Sequence, residues 1–220
     1  LTWGCGLLAT ILLLPMKREH RVGLSVLWIL RLFTALGFSL HFEAHYSADE
    51  LDAFGYYYAA LESEPDFSSI GFGSGTQLIT AITWIHLKLI PDSYHAAKVT
   101  FAFAGLWGAY LFYKAAREII GHESLPLFWL LGGFPSVLFW SSILGKDPLI
   151  FLSVGAFTLS IAKWHSIRRF HNVAQATLSA ALAMTIRLWM GPILLFPTTL
   201  LGLGGINKPL LRTTITLLTL

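Results

Sequence analysis

Apolar stretches long enough to cross a bilayer recur along this chain, separated by short polar interruptions. Taking apolar runs of about 17–25 residues as spans predicts helices over 1–16, 22–42, 94–114, 126–144, 147–164 and 173–203, with another starting near 210. The run over 173–203 is too long for one perpendicular helix and contains Gly191-Pro192 and Pro197, so a kinked helix and a re-entrant pair fit it equally. No internal repeat or low-complexity segment interrupts the pattern. The expected fold is all-α: a polytopic transmembrane helical bundle forming a single membrane domain over 1–220. Because the sequence opens without methionine and stops inside the apolar TTITLLTL, it is expected to be part of a longer protein.

The polar interruptions set an orientation. Lys17, Arg18 and Arg21, then Lys114 and Arg117, then Lys163, Arg168 and Arg169 fall in alternate connections, the pattern of cytoplasmic turns. The segment 43–93 and the Lys146-Asp147 turn then share the outer face. Between Glu43 and Asp66 the chain carries Glu43, Asp49, Glu50, Asp52, Glu62, Glu64 and Asp66, no Lys or Arg, and the aromatics Tyr46, Phe54, Tyr56, Tyr57 and Tyr58. Ser47-Ala48-Asp49-Glu50 fits a capping box and predicts a helix over 48–62. Asp49, Asp52 and Tyr56 then share one face at spacings of three and four. The glycine-rich 71–75 precedes an expected interfacial helix over 76–90, with Trp84, His86 and Lys88 at headgroup level. The outer segment reads as a folded cap containing amphipathic surface helices.

Composition agrees: 55% of residues are hydrophobic and 12% charged, against about 25% charged in ordinary soluble domains. The formal net charge of +3 resides in short inter-span turns, where it reports topology, so nucleic acid is not an expected partner. Membrane lipids are, and other membrane subunits are a further expectation. Cys5 is the only cysteine, which excludes a disulfide framework or a thiolate metal site within these residues.

The candidate chemistry lies in a few charged residues. The stretch FPSVLFWSSILGKDP places Lys146 and Asp147 between two apolar spans, a costly position unless they meet a membrane surface or line a polar cavity. Asp49, Glu50 and Asp52 are the candidate catalytic acids. A carboxylate partly desolvated by tyrosines has a raised pKa and accepts a proton from a sugar or alcohol hydroxyl. The same acids suit a divalent cation through oxygen ligands, and the sequence does not choose between these roles or a plain solvated surface. Arg187, in MTIRLWMGP, offers a planar fork of donors suited to a phosphate or pyrophosphate, or to an internal salt bridge with Asp147. Lys146 is placed for an anionic headgroup or for a simple pair with Asp147. Arg31 is expected to snorkel to the cytoplasmic face. His41 and His45, four apart, offer a metal or haem pair that needs His86 or His95 as a third ligand; a hydrogen-bonded helix end explains them equally simply, and no metal site is assigned.

This order of features resembles the integral membrane glycosyltransferases of the GT-C type. The residues that carry the resemblance are Asp49, Glu50 and Asp52 in HYSADELDAFGYYYAAL, the stretch from Phe134 to Asp147, and Ile186-Arg187. The second is similar to an FWSSGLGKD-type turn in bacterial membrane proteins of that superfamily. The resemblance implies sugar transfer from a polyprenyl-phosphate-linked donor at the outer face of a bacterial inner membrane. Asp49 or Asp52 would be the catalytic carboxylate and Lys146 and Arg187 the phosphate holders, with Tyr56 and Asp147 as further substrate-binding candidates. The loop departs from the family pattern in lacking an adjacent Asp-Asp or Glu-Asp pair, and a C-terminal soluble domain is absent from these residues. Two other readings stay open: a non-catalytic or cofactor-holding subunit of a membrane complex, and a transporter whose path is lined by Arg31, Arg187 and kinked helices.

Overall fold

The structure, a computed structural model, describes residues 2–46, 51–90 and 93–203. All regular structure among them is helical, so the chain is all-α. Helix α1 (Thr2–Leu13) precedes α2 (Arg18–Phe33), which runs through a π-helical turn (Thr34–Phe38) directly into α3 (Ser39–His45). The cap contributes α4 (Asp52–Glu62), a short 3₁₀ turn (Phe67–Ser69) and α5 (Gly75–Leu89). The rest is α6 (Tyr94–Ile120), α7 (Leu125–Gly133), α8 (Pro135–Trp140), α9 (Lys146–Ile167), α10 (Phe170–Ile186) and α11 (Met190–Leu203).

Several expected spans change shape, each for a local reason. The run over 126–144 is two short helices because Pro135 holds the preceding Phe134 in an extended conformation, φ −58° and ψ 125°. The run over 173–203 breaks at Arg187, itself extended (φ −142°, ψ 112°), and restarts at Met190. Pro192 then falls in the first turn of α11, where a missing amide costs nothing. Helix α6 outruns its expected end and stops at Gly121, whose φ of 82° caps it with a hydrogen bond to the Arg117 carbonyl. The expected capping box at 47–50 and the helix near 210 lie outside the described residues.

Helix α6 is the central element. On one side Val99, Ala102, Leu106, Tyr110 and Tyr113 pack against Leu24, Leu27 and Trp28 of α2 and Phe128 of α7. On the other, α6 meets α9 through glycines: Gly108 faces the α9 backbone at Leu152, and Gly155 of α9 faces the Gly108 carbonyl. A methyl group on Gly105 would lie 1.9 Å from the Ser141 carbonyl oxygen, so the α8–α9 turn also sits directly on α6. Small residues let these backbones approach without side chains between them. The cap rests on the same helix through Tyr56, Ile79, Ala97, Phe101 and Leu144. Gly73 donates to the Met184 carbonyl, fixing the start of α5 to the end of α10.

The two ends of the bundle carry different charges. At one, Glu123 accepts from Lys17 at 2.8 Å and from Arg117 at 3.4 Å, and Glu118 accepts from Ser166 at 2.7 Å. Those bonds gather the connections that bear the three basic clusters. At the other end lie Glu43, Asp52, Tyr94, Lys98, Lys146, Asp147 and Arg187. Arg18–His45 (28 residues) and Lys146–Ile167 (22 residues) are each long and apolar enough to cross a membrane. Val22, Val26, Ile29 and Phe33, spaced by three and four along α2, are 41% to 72% exposed.

Gly105→Ala should lower stability by about 1–3 kcal/mol, because backbone must move to admit the methyl group. Gly6→Ala, with nothing within 4 Å, should leave it unchanged or raise it slightly. Thermal unfolding in detergent reads both. The hydrogen bond from Lys17, aided by the Lys17 and Arg117 charges, holds the Glu123 carboxyl below its usual value of 4.5. Its contribution is therefore complete above that pH and is lost as pH falls through the depressed folded value. An acid titration of the unfolding midpoint should show this loss, and Glu123→Gln should make the midpoint less sensitive to acid.

Candidate functional site

The α8–α9 turn is held by Arg31. This side chain has no solvent exposure and does not snorkel. Its Nη1 donates to the Ser141 hydroxyl, to the Ser142 hydroxyl at 3.3 Å and to the Ser141 carbonyl at 3.4 Å, while Nη2 donates to the Gly132 carbonyl at 3.5 Å. The two serines donate in turn to Val137 and Leu138 carbonyls. A buried guanidinium is tolerated only when acceptors reach it; Nη1 and Nη2 take theirs from three residues on α7 and the turn, while the buried Nε is left without a partner among the described residues. With the turn fixed, Gly145 is buried and α9 begins at Lys146, so Lys146 and Asp147 project from its first turn. An acid in that turn also complements the helix dipole.

A cavity of about 760 Å³ opens beside this turn, within the range of small-molecule sites. Helix α4 delivers Asp52 and, one turn later, Tyr56. Tyr56 is 5% exposed and packs in the cluster that seats the cap, which fixes the direction of Asp52. Burial, then the Asp52 carboxylate, pushes the Tyr56 hydroxyl up, so it stays protonated as a donor. Lys146 Nζ lies 5.9 Å above the Tyr56 ring. Arg187, freed from helical geometry at the end of α10, donates through Nη2 to Asp147 Oδ1 at 3.1 Å and lies 5.7 Å from the Trp189 ring. Both members of that pair are more than one-third exposed, leaving the guanidinium accessible from the cavity. Phe42, Phe139, Trp140 and Ile143 form an apolar wall.

Asp52, Tyr56, Lys146, Asp147 and Arg187, far apart in sequence, thus line one space. Asp49 and Glu50 lie outside the described residues. The Lys146–Asp147 pair gives way to Arg187–Asp147, since neighbouring positions on a helix point apart. The rings of His41 and His45 lie tilted at 46° with centroids 4.2 Å apart, and His45 Nδ1 lies 2.6 Å from the His41 carbonyl oxygen. His86 is instead buried beside Thr100, where burial pushes its pKa down. Among the described residues no three His, Cys, Asp or Glu side chains cluster as metal ligands. Asp52 is exposed, so the partial desolvation expected of a catalytic carboxylate is not found at it; what it offers is an accessible acceptor at the cavity.

The sequence pattern does not reveal Lys98 and Tyr94, and it shows Glu43 only as part of the acidic run. All three line the cavity, with Glu43 bonded to both partners. The available signal is Lys98 itself, a lone cation at the start of the apolar stretch that becomes α6.

Arg31→Met keeps most of the side-chain volume and removes the hydrogen bonds to the turn. Amide hydrogen exchange over residues 141–146 should quicken by about tenfold, with the α6–α9 core unchanged. Unchanged exchange at the turn would remove Arg31 as its anchor.

Comparison with known protein families, curated protein sequences and solved structures finds no match to this chain, which leaves its function to be argued from the site's own geometry.

Proposed function

We propose that this chain is a polytopic membrane glycosyltransferase of the GT-C type that takes a sugar from a polyprenyl-phosphate-linked donor at the outer face of a bacterial inner membrane. The observation that carries this reading is the convergence of Asp52, Lys146 and Arg187 on one cavity with an apolar wall. Two helices of membrane-spanning length and the exposed apolar stripe along α2 support the location.

In the proposed reaction the lipid chain lies along Phe42, Phe139 and Trp140, and the phosphate meets Lys146 and the open edge of the Arg187 fork. Asp52, exposed and lining the cavity, accepts the proton of an acceptor hydroxyl. The hydroxyl oxygen bonds to the anomeric carbon as the carbon–oxygen bond to phosphate breaks, and the polyprenyl phosphate leaves with the electron pair. Lys146 and Arg187 stabilise the negative charge that grows on the phosphate. Asp147 holds one edge of the Arg187 guanidinium and so orients the other.

The test uses the chain in phosphatidylcholine nanodiscs, titrated with polyprenyl phosphate. Lys146→Ala and Arg187→Ala should each weaken binding by about tenfold or more. Asp52→Asn should preserve it while abolishing transfer from a panel of sugar-loaded lipids. A chain that binds no lipid phosphate, or binds it independently of both cations, would reverse this assignment in favour of a subunit role.

A further inference from the structure

The cavity contains a second acid that the transfer step does not use. Glu43, in the last turn of α3, has a side chain only 12% exposed. Both of its hydrogen bonds fall on one oxygen: Lys98 Nζ donates to Oε1 at 2.6 Å, and the Tyr94 hydroxyl donates to the same atom at 2.9 Å. Lys98 is 1% exposed and its ammonium also lies 5.2 Å above the Tyr94 ring. The carboxylate is therefore clamped from one side. Its Oε2 has no partner among the described residues, on a side chain that lines the cavity beside Phe42 and Phe139.

The chemistry of this oxygen is selective. A carboxylate oxygen accepts hydrogen bonds and repels anions, and the buried lysine neutralises the pair as a whole. A phosphate is excluded from it, and no net charge is left to attract a cation. The ligand group that fits is a neutral donor, and a hydroxyl supplies one. Accepting from it completes a partly desolvated carboxylate that the protein satisfies on one side only.

We infer that Glu43 Oε2 is a recognition point for a sugar hydroxyl, held in place by Lys98 and Tyr94, and that the cavity divides its ligand between a phosphate site at Lys146 and Arg187 and a hydroxyl site at Glu43. This rests on the glycosyltransferase reading and adds the part of the site that reads the sugar. The hydroxyl can belong to the donor sugar or to the acceptor.

The test is calorimetric titration of the chain in phosphatidylcholine nanodiscs with three sets of probes. These are bare polyprenyl phosphate, polyprenyl phosphates carrying a panel of hexoses and pentoses, and octyl glycosides of the same sugars, which supply hydroxyls without phosphate. At least one sugar-bearing probe should bind about tenfold tighter than its bare counterpart, octanol serving as the counterpart for the glycosides. Glu43→Gln should remove that gain and leave the affinity for bare polyprenyl phosphate unchanged. Glu43→Gln/Lys98→Met keeps the pair neutral and should show the same selective loss, which covers a single variant that fails to fold. A gain confined to the lipid-linked sugars assigns the hydroxyl to the donor; a gain with octyl glycosides assigns it to the acceptor. The inference is overturned if bare polyprenyl phosphate binds but no sugar adds affinity, or if Glu43→Gln weakens bare and sugar-bearing probes alike. Failure of bare polyprenyl phosphate to bind overturns the underlying glycosyltransferase reading instead.

Discussion

A guanidinium with no solvent contact persists only where oxygen atoms converge on it, and the geometry of the cavity end of the bundle depends on how Arg31 meets that requirement. Its acceptors are the hydroxyls of Ser141 and Ser142 and the carbonyls of Ser141 and Gly132. All of them lie on α7 or on the turn between α8 and α9. The same Ser141 carbonyl sits against Gly105 of α6, so the turn is fixed from two sides, by hydrogen bonds and by close backbone packing. The turn leads directly into α9, whose first residues are Lys146 and Asp147. A buried residue of α2 thereby determines where a charged pair at the cavity is presented.

The remaining walls of the cavity are set by comparable constraints. The break after Ile186 releases Arg187 from helical geometry and lets it reach Asp147. Gly73 and Gly75 hold the start of α5 against the end of α10: Gly73 donates to the Met184 carbonyl, and a methyl group on Gly75 would lie 2.2 Å from the Ile186 carbonyl oxygen. Burial of Tyr56 seats α4 and so orients Asp52. Glu43 is drawn inward by Lys98, a lysine whose charge would be costly at that depth without a partner. The result is a space with Lys146 and Arg187 at one edge, the acids Glu43, Asp52 and Asp147 at three positions and aromatic side chains among them. That arrangement suits a ligand with a phosphate, hydroxyls and a hydrocarbon chain.

Much of the helical framework is legible in the sequence because long apolar runs favour helices, although among the described residues only Arg18–His45 and Lys146–Ile167 are long and apolar enough to cross a membrane, and isolated charges between such runs mark sites of interest. Lys146, Asp147 and Arg187 stand out this way, Asp52 and Tyr56 through the acidic and aromatic segment, and the structure brings all five to one cavity. Helix ends are less legible where one residue decides them, as at Pro135 and Arg187. Arg31 defeats the expectation of snorkelling because its partners lie about a hundred residues away, and a rule based on distance from the span end sees only the local chain. The same holds for Lys98 and Glu43, which are 55 residues apart. Long-range pairing of polar groups leaves no periodic trace in sequence, so the polar interior is the part that the pattern conceals.

The central claim is that the cavity bounded by Asp52, Lys146 and Arg187 receives a lipid phosphate. The most direct measurement is a structure of the purified chain with its co-purified lipids retained. The account predicts phosphate density bridging Lys146 Nζ and the Arg187 guanidinium, with a hydrocarbon chain running along Phe42, Phe139 and Trp140. A cavity filled instead by protein, or lipid phosphates ordered only elsewhere on the surface, would contradict it.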